Sequence, residues 1–349
     1  MNKEFLITSP KQVLKILNDN GIEVKSTNED TLKKYKDNPL VKALLEFRGA
    51  FKIASTYTKP IYKEAKAASD GRIRARFTQS TITGRLASSD PINLQNQPAS
   101  VKGCFVAKEG HSFVEADWSN LEWRIPGHFS GDPAIIDELS RRDGDIHSQT
   151  ARLMFGQSVS DSQRRIAKTC NFLLTNSGRA KRLAAELGCS YRDAELIYNK
   201  FWAGYRVLGE WTKETKRKAR ESGGVSTLYG RRVSLPGLSE WCGRANCPVV
   251  GANGFFCKPC FKKEETEREA VSVRVQGSGA DLIKLAMLRL YREYGYVPVL
   301  TVHDSVLIEV EDSKIEETKQ NVKEVMENLV DLKVPLFVDI SVGKSWGDC

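Results

Sequence analysis

Nowhere in the chain do eighteen apolar residues run together, so the sequence offers no membrane-spanning helix. The start, Met1 to Gln12, mixes Lys3, Glu4 and Lys11 with one brief apolar patch, and it lacks the apolar stretch and cleavage pattern of a secretion signal. There is no internal repeat and no low-complexity linker, which sets aside repeat arrays and tethered tails. These absences predict a protein that works inside a cell, in the cytoplasm, without a membrane partner. What is present is ordinary for a globular chain: 349 residues, 40% hydrophobic and 28% charged, enough for two or three packed units with their own cores.

The charge is less ordinary. A formal net charge of +9 favours a polyanionic partner, because each Lys or Arg that meets a phosphate releases condensed counterions. Nucleic acid leads on this count, although a solvated cationic surface gives the same number.

Residues 1 to about 70 carry apolar positions at helical spacing: Val13, Leu14, Ile16 and Leu17 after a Ser9-Pro10 start, then Leu40, Val41, Leu44, Leu45 and Phe47. The alternation Arg72-Ile73-Arg74-Ala75-Arg76-Phe77 predicts a strand with one basic face. A Glu109-Gly110 turn between Cys104-Phe105-Val106 and Phe113-Val114-Glu115-Ala116-Asp117 predicts a hairpin. Helices are expected from about Pro133 to Ser222, a Gly-containing turn between short apolar segments over 225–236, and one long helix over 267–294. A second hairpin over 297–310 is broken by His303-Asp304, and a helix and a last strand near 335–342 close the chain.

Two aspartates stand where a strand would prefer no acid. Asp117 ends one apolar strand, and Asp304 sits at the turn of the apolar hairpin Val299 to Ile308. Phosphoryl transfer needs hard cations bridged by carboxylates, one to activate the attacking hydroxyl and one to stabilise the leaving oxygen. Each residue taken alone also fits a turn-forming Asp. A helix starting at the capping box Ser160-Asp161-Ser162-Gln163 would carry Arg164, Lys168 and Phe172 on one face. Two cations and an aromatic could clamp a triphosphate and stack on a sugar or base, or form a basic surface stripe above one core Phe.

These segments resemble the motifs of family A DNA polymerases, the family typified by bacterial DNA polymerase I. Asp117-Trp118-Ser119-Asn120-Leu121-Glu122-Trp123-Arg124 is similar to the first catalytic motif, Gln163 to Phe172 to the nucleotide-delivering fingers helix, and His303-Asp304 to the third motif. Thr83 to Pro91 with Asn93-Leu94-Gln95-Asn96 resembles the primer-contacting segment, and Glu267-Arg268 with Val275-Gln276-Gly277 the palm helix. Tyr229-Gly230-Arg231-Arg232 and Asp145-Ile146-His147 match smaller landmarks, and the ordered motifs run over roughly residues 5 to 345.

The resemblance implies an α+β right-hand polymerase: a palm with an antiparallel sheet, helical fingers and a partial helical thumb. It divides the chain into a partial thumb (1–80), a first part of the palm (81–132), fingers (133–225), a connecting segment with a four-cysteine insertion (226–266) and a second part of the palm (267–349). It implies two magnesium ions, or manganese in their place, on Asp117, Asp304 and the Trp118 carbonyl. Arg164 and Lys168 would hold the triphosphate of a deoxynucleotide, with Lys168 as proton donor to pyrophosphate, Phe172 near the sugar and Glu122 crowding a ribose 2′-hydroxyl. Arg85, Asn96, Arg268, Gln276 and His303 would contact a DNA primer-template.

The chain departs from the family pattern at Asn176, which replaces a template-side Tyr, at Ser305, where an acid commonly follows His-Asp, and at Ser272, where Asn is usual. The first thumb helix and an exonuclease domain are not expected in this chain, so a separate subunit would supply them; such a compact form suits a phage or mobile element. The rival readings are a single-subunit RNA polymerase or primase-like enzyme, against which Glu122 argues, and a non-catalytic DNA-binding replisome component, against which the four residues Asp117, Asp304, Arg164 and Lys168 argue together.

Four of the eight cysteines, Cys242, Cys247, Cys257 and Cys260, fall within nineteen residues in the spacing C-x4-C-x9-C-x2-C, close to a zinc-ribbon pattern. Reduced thiols inside a cell favour structural zinc over disulfides, with a redox pair or chance clustering as alternatives. Arg244, Lys258, Lys262 and Lys263 flank the cluster and would either touch template backbone or form a solvated basic loop.

Overall fold

Proline and asparagine caps set the first helices. Asn38 accepts hydrogen bonds from the backbone N–H groups of Leu40 and Val41, and Pro39 supplies a preset φ at the helix start. The computed structural model describes residues 5–243, 247 and 257–349, so Arg244 lies outside the described residues. The chain divides into two units, Met1–Arg76 with Ser88–Cys104, and Phe77–Ala87 with Phe105–Cys349.

The first unit holds α1 (Pro10–Asp19), α2 (Glu29–Lys33), α3 (Pro39–Lys52) and α4 (Lys59–Ala67), with a short α5 (Ala99–Lys102). Val13, Leu17, Ile22, Val24, Leu32, Val41 and Leu44 form its core, as the helical spacing predicts. A π-helical segment, Ile53–Thr58, joins α3 to α4. Pro60 near the start of α4 explains it: proline lacks an N–H and its ring crowds the carbonyl one turn earlier, and a wider turn relieves both. The basic strand expected over 72–77 does not form. Arg74 turns back to Asp70 at 2.5 Å, and Arg76 pairs only through one reciprocal backbone exchange with Asp90 and Ser89. Regular pairing is limited to the two-residue strands β1 (Phe77–Thr78) and β2 (Ala87–Ser88).

The second unit is built on a four-stranded antiparallel sheet in the order β6-β7-β3-β8, with β3 His111–Trp118, β6 Leu300–Val302, β7 Ser305–Glu311 and β8 Val338–Gly343. The expected 104–117 hairpin is therefore replaced. The turn is present, closed by His111 N–H to the Lys108 carbonyl, but β3 pairs with β7 and β8, and Val106 bridges Ser345 instead. Alternation then sorts the sheet into two faces. Val114, Ala116, Trp118, Val306, Ile308, Val310 and Val338 are buried against Leu282, Ile283, Ala286 and Leu290 of α13 (Lys258–Tyr294) and Val322, Val325 and Met326 of α14 (Ile315–Glu327). The opposite face carries Glu115, Asp117, Ser305 and Asp339.

Between β3 and α13 run α6 (Leu121–Ser130), α7 (Pro133–Leu139), α8 (Ile146–Phe155), α9 (Asp161–Thr175), α10 (Ala180–Leu187), α11 (Tyr191–Gly204) and α12 (Arg206–Ser222), then the hairpin β4 (Gly224–Ser226) and β5 (Arg232–Ser234). These helices share a second core around Trp123, Leu139, Ile146, Leu174, Phe201 and Tyr205. The long helix α13 begins nine residues before the expected Glu267, at Lys258, because Cys257 is its N-cap and Pro259 lies in its first turn, where proline is tolerated. Among the described residues no helix is long and apolar enough to cross a membrane. The unit is α+β, as the sequence predicts.

Candidate active site

Strand register brings the two aspartates together. Asp117 lies directly opposite Ser305, the residue after Asp304, and on its other side opposite Asp339. Cross-strand partners sit about 5 Å apart at Cα, so Asp117 and Asp304 occupy one end of the central strand pair. His303 occupies the two-residue turn with φ 56°, in the left-handed region such a turn requires, and this lifts Asp304 to the sheet end. The pKa of Asp304 is raised, first by burial and then by the neighbouring carboxylate of Glu122; Arg85 opposes the rise. Fixed divalent cations beside Asp304 would offset both effects, so the donor set fits hard-cation binding.

Beyond Trp118 the chain turns through Asn120, at φ 55°, into α6. The turn is held by Arg124, which is 1% exposed and donates to the carbonyls of Ser119 at 2.6 Å and Leu139 at 2.8 Å and to that of Pro335. Burial lowers its pKa to about 10 without discharging it near neutrality. Glu122 therefore stands at a defined place one turn beyond Asp117, where it meets Arg85 at 3.5 Å.

Arg231, from the Tyr229-Gly230-Arg231-Arg232 landmark, fixes the segment before Arg85. Its guanidinium pairs with Asp281 at 2.7 Å and donates to the Thr83 carbonyl at 2.8 Å and the Gly277 carbonyl at 3.1 Å. A Cβ at Gly277 would stand 2.9 Å from Thr227 Cγ2 and 3.3 Å from the Arg231 guanidinium. Gly277→Ala is expected to destabilise the chain by about 1–3 kcal/mol, read as a lower thermal midpoint by circular dichroism; an unchanged midpoint would show that this packing is loose.

The capping box at the start of α9 forms as expected: Ser160 accepts from Gln163 N–H and the Gln163 side chain accepts from Ser160 N–H. Arg164, Lys168 and Phe172 then share one exposed face, with Lys168 Nζ 6.0 Å from the Phe172 ring. Phe172 is 56% exposed, so it is not a core residue. Arg164 is held at 2.8 Å by Asp145, the N-cap of α8, and at 3.2 Å by Ser148. Burial acts to raise the Asp145 pKa, but its bonds from Arg164 and Ser148 outweigh burial and keep it below the usual carboxylate range.

His147, from the Asp145-Ile146-His147 landmark, lies with its ring 5.9 Å from Phe172 and its Nδ1 2.7 Å from Asn171 Nδ2. Its pKa is lowered by burial first and then by Arg164 and Lys168. Sequence reading also passed over Glu115 and Asp339. Glu115 accepts from Ser305 Oγ at 3.4 Å and from the Trp346 indole at 3.3 Å. Two-residue alternation from Asp117 was the available signal for Glu115; Asp339 required knowledge of the β3–β8 register.

A narrow crevice gathers Glu122 of α6, Thr175 and Asn176 at the end of α9, and Ser272 and Gln276 of α13. Thus Gln276 joins the Glu122 neighbourhood. Arg268 lies about 12 Å farther toward the start of α13, where it meets Glu264 at 3.5 Å. Asn96 ends a 3-10 turn in the first unit.

The family model for DNA polymerase family A matches residues 1–348. The chain belongs to that family. It is similar to the thermostable DNA polymerase I of Thermus filiformis, 37% identical over 322 residues that cover 88% of this chain and 36% of the relative. Against DNA polymerase I of Deinococcus radiodurans it is 34% identical, covering 99% of this chain and 37% of the relative. The chain thus spans little more than a third of these curated relatives. Among solved structures it is similar to the POL domain of Pol1 from M. smegmatis in complex with DNA primer-template and dNTP. That match has a TM-score of 0.85 and 30% identity, and covers 99% of this chain and 62% of that one. The fold is accordingly that of a family A polymerase domain, α+β and built on an antiparallel sheet.

The four cysteines expected to bind zinc come together. Their sulfurs lie within 4.8 Å of one another, with Cys260 Sγ 3.4 Å from Cys242 Sγ, and none is in a disulfide. A tetrahedron of Zn–S bonds of about 2.3 Å has edges of about 3.8 Å, so the cluster has the size of a metal site. Hydrogen bonding to Cys242 and then burial push the Cys247 thiol up to about 12, the behaviour of crowded thiols, which a dication would reverse.

Proposed function

We propose that this chain is a template-directed DNA polymerase that adds deoxynucleotides from their triphosphates to a primer 3′-hydroxyl, in DNA replication or repair. The observation that supports the reading is the β3–β7 register, which puts Asp117 opposite Ser305, the residue after Asp304, at the end of the sheet in a family A chain.

In this reading Asp117, Asp304 and the Trp118 carbonyl hold two magnesium ions. When bound, such ions lower the pKa of the attacking hydroxyl and neutralise charge on the departing pyrophosphate. Arg164 leaves or shares Asp145 to hold the triphosphate, and Lys168, one turn farther along α9, donates a proton to pyrophosphate as it departs. Phe172 packs on the sugar. Glu122, kept in place by the Arg124-anchored turn, occupies the space a 2′-hydroxyl would need. Arg85, Gln276 and His303 contact the nascent pair and primer end, with Arg268 and Asn96 on the template and primer strands, and Asn176 stands beside the templating position.

The thumb, palm and fingers divisions at 1–80, 81–132, 133–225, 226–266 and 267–349 belong to the same proposal, as do zinc at the four cysteines, a cytoplasmic place of work and a separate subunit for thumb or exonuclease functions. Lys258, Lys262 and Lys263 form the basic flank of the zinc site.

Lys168→Ala is expected to slow nucleotide addition about a hundredfold with primer-template affinity unchanged, measured by rapid quench and fluorescence anisotropy; a loss confined to DNA affinity would remove the proton-donor role. The reading as a whole is tested by extending a labelled DNA primer on a DNA template with magnesium, giving deoxynucleotides or ribonucleotides in parallel. Extension with deoxynucleotides alone supports it. Efficient ribonucleotide addition would move the assignment to an RNA polymerase or primase-like enzyme, and tight DNA binding without extension to a non-catalytic component.

A further inference from the structure

Two carboxylates on the sheet face that carries Asp117 have no part in the reaction proposed above. Asp339 is exposed and open to hydration, whereas Glu115 is half-buried. Glu115 lies two residues before Asp117 on β3, so alternation puts both on one face, about 7 Å apart at Cα. Its Oε1 accepts from the Ser305 hydroxyl at 3.4 Å and, at 3.3 Å, from the indole N–H of Trp346, which is 1% exposed. Both bonds fall on the same oxygen, and Oε2 accepts none among the described residues. Glu122, Glu138 and Glu327 each meet an arginine. Glu115 has no cationic partner among the described residues. A half-buried carboxylate with one oxygen anchored and the other unpaired is costly unless something else meets the charge.

We infer that Glu115 is a positioning residue for the cation site: its Oε2 accepts a hydrogen bond from a water in the cation's shell and so steadies the cation against Asp117 and Asp304. The inference rests on the polymerase reading and adds one carboxylate to its metal set. Magnesium held by one or two carboxylates keeps several waters, so a further acid beside it meets water rather than metal. Groups of that kind orient the ligands and raise metal affinity. The two donors on Oε1 hold Glu115 to this outer place and keep it from taking over that of Asp304.

Ser305 accounts for the arrangement. It follows Asp304 and lies opposite Asp117, at the position where the family pattern commonly has an acid, and its hydroxyl is bonded to Glu115. The charge absent from β7 is thus carried one strand over, on β3, within hydrogen-bond reach of the same position. A carboxylate at both positions would set two like charges in contact, whereas a neutral serine donates to the one that is there.

The probe is manganese(II) alone, titrated into the full chain and followed as free ion by electron paramagnetic resonance. Glu115→Gln keeps an oxygen for Ser305 and Trp346 but removes the charge. It is expected to weaken manganese binding about tenfold and to raise the magnesium concentration for half-maximal primer extension by about the same factor, with an unchanged thermal midpoint. Glu115→Ser is expected to weaken binding likewise. Glu115→Ser with Ser305→Glu, which moves the carboxylate across the strand pair, is expected to restore affinity to within about threefold of wild type. Wild-type manganese affinity in Glu115→Gln overturns the inference, as does a folded double variant that binds no better than Glu115→Ser. Extension lost from Glu115→Gln at every magnesium concentration, together with a lowered thermal midpoint, also overturns it, because the residue is then a support for Trp346. A wild type that binds manganese more tightly than Glu115→Gln yet extends no primer overturns the polymerase reading and leaves the role of Glu115 standing.

Discussion

Asp304→Ala is expected to slow primer extension by about four orders of magnitude, close to 5 kcal/mol of transition-state stabilisation, with the fold and primer-template binding retained. Asp304 occupies a two-residue turn between β6 and β7, so truncating it opens no cavity among the buried side chains of the sheet. It directly precedes Ser305, which lies opposite Asp117 across the strand pair, and the proposed site draws one carboxylate from Asp304 and one from Asp117. Neither strand neighbour replaces it: Ser305 is neutral, and Glu115 is already engaged by Ser305 and Trp346. Rapid-quench extension at saturating nucleotide reads the rate, anisotropy the binding and circular dichroism the fold. A loss of less than tenfold would mean that Asp304 is a turn residue and that the reaction is organised elsewhere.

If the four-cysteine cluster holds zinc as proposed, stripping that metal is expected to have the second large effect. Binding of four thiolates to zinc is worth on the order of 10 kcal/mol at neutral pH, and the cluster spans the segment from Cys242 to the first turn of α13, where Cys257 caps and Cys260 follows. One turn beyond Cys260, Glu264 pairs at 2.7 Å with Arg179, the N-cap of α10 at the end of the α9–α10 connection. Purified protein is expected to hold one equivalent of zinc, and a strong chelator to lower the thermal midpoint and expose four additional thiols to a thiol reagent. Cys247→Ser should behave as the chelated wild type. Protein that contains no metal, with the four thiols reactive from the outset, would leave the cluster as a chance grouping.

Local signals made much of this legible. The capping box at Ser160 and the four-residue recurrence of Arg164, Lys168 and Phe172 depend only on neighbours within α9, and they form as the sequence predicts. The hairpin around His303-Asp304 is equally local. What failed was long-range pairing. The apolar run Cys104 to Val106 and the run ending at Asp117 invited a hairpin across Glu109-Gly110, but the partners of β3 lie near residues 305–311 and 338–343, and no local pattern encodes them. The Arg72–Arg76 alternation has no partner strand along its length: only Arg76 exchanges backbone hydrogen bonds, with Asp90 and Ser89, and Arg74 folds back to Asp70. The start of α13 was missed because Pro259 beside cysteines reads as a loop, whereas a first-turn proline is compatible with a helix. The buried Arg124 and the bracing Arg231 lay inside segments noted for their resemblance, but their work is to hold carbonyls, which only tertiary structure reveals.

Template direction is the central claim, and single-nucleotide addition tests it most directly. Four DNA hairpin primers that differ only in the first unpaired template base are each offered the four deoxynucleotides one at a time with magnesium. Each primer is expected to gain the nucleotide complementary to its template base, the other three being added far more slowly, with all addition lost in Asp304→Ala. Addition that ignores the template base, or none at all beside tight binding of the hairpins, would contradict it.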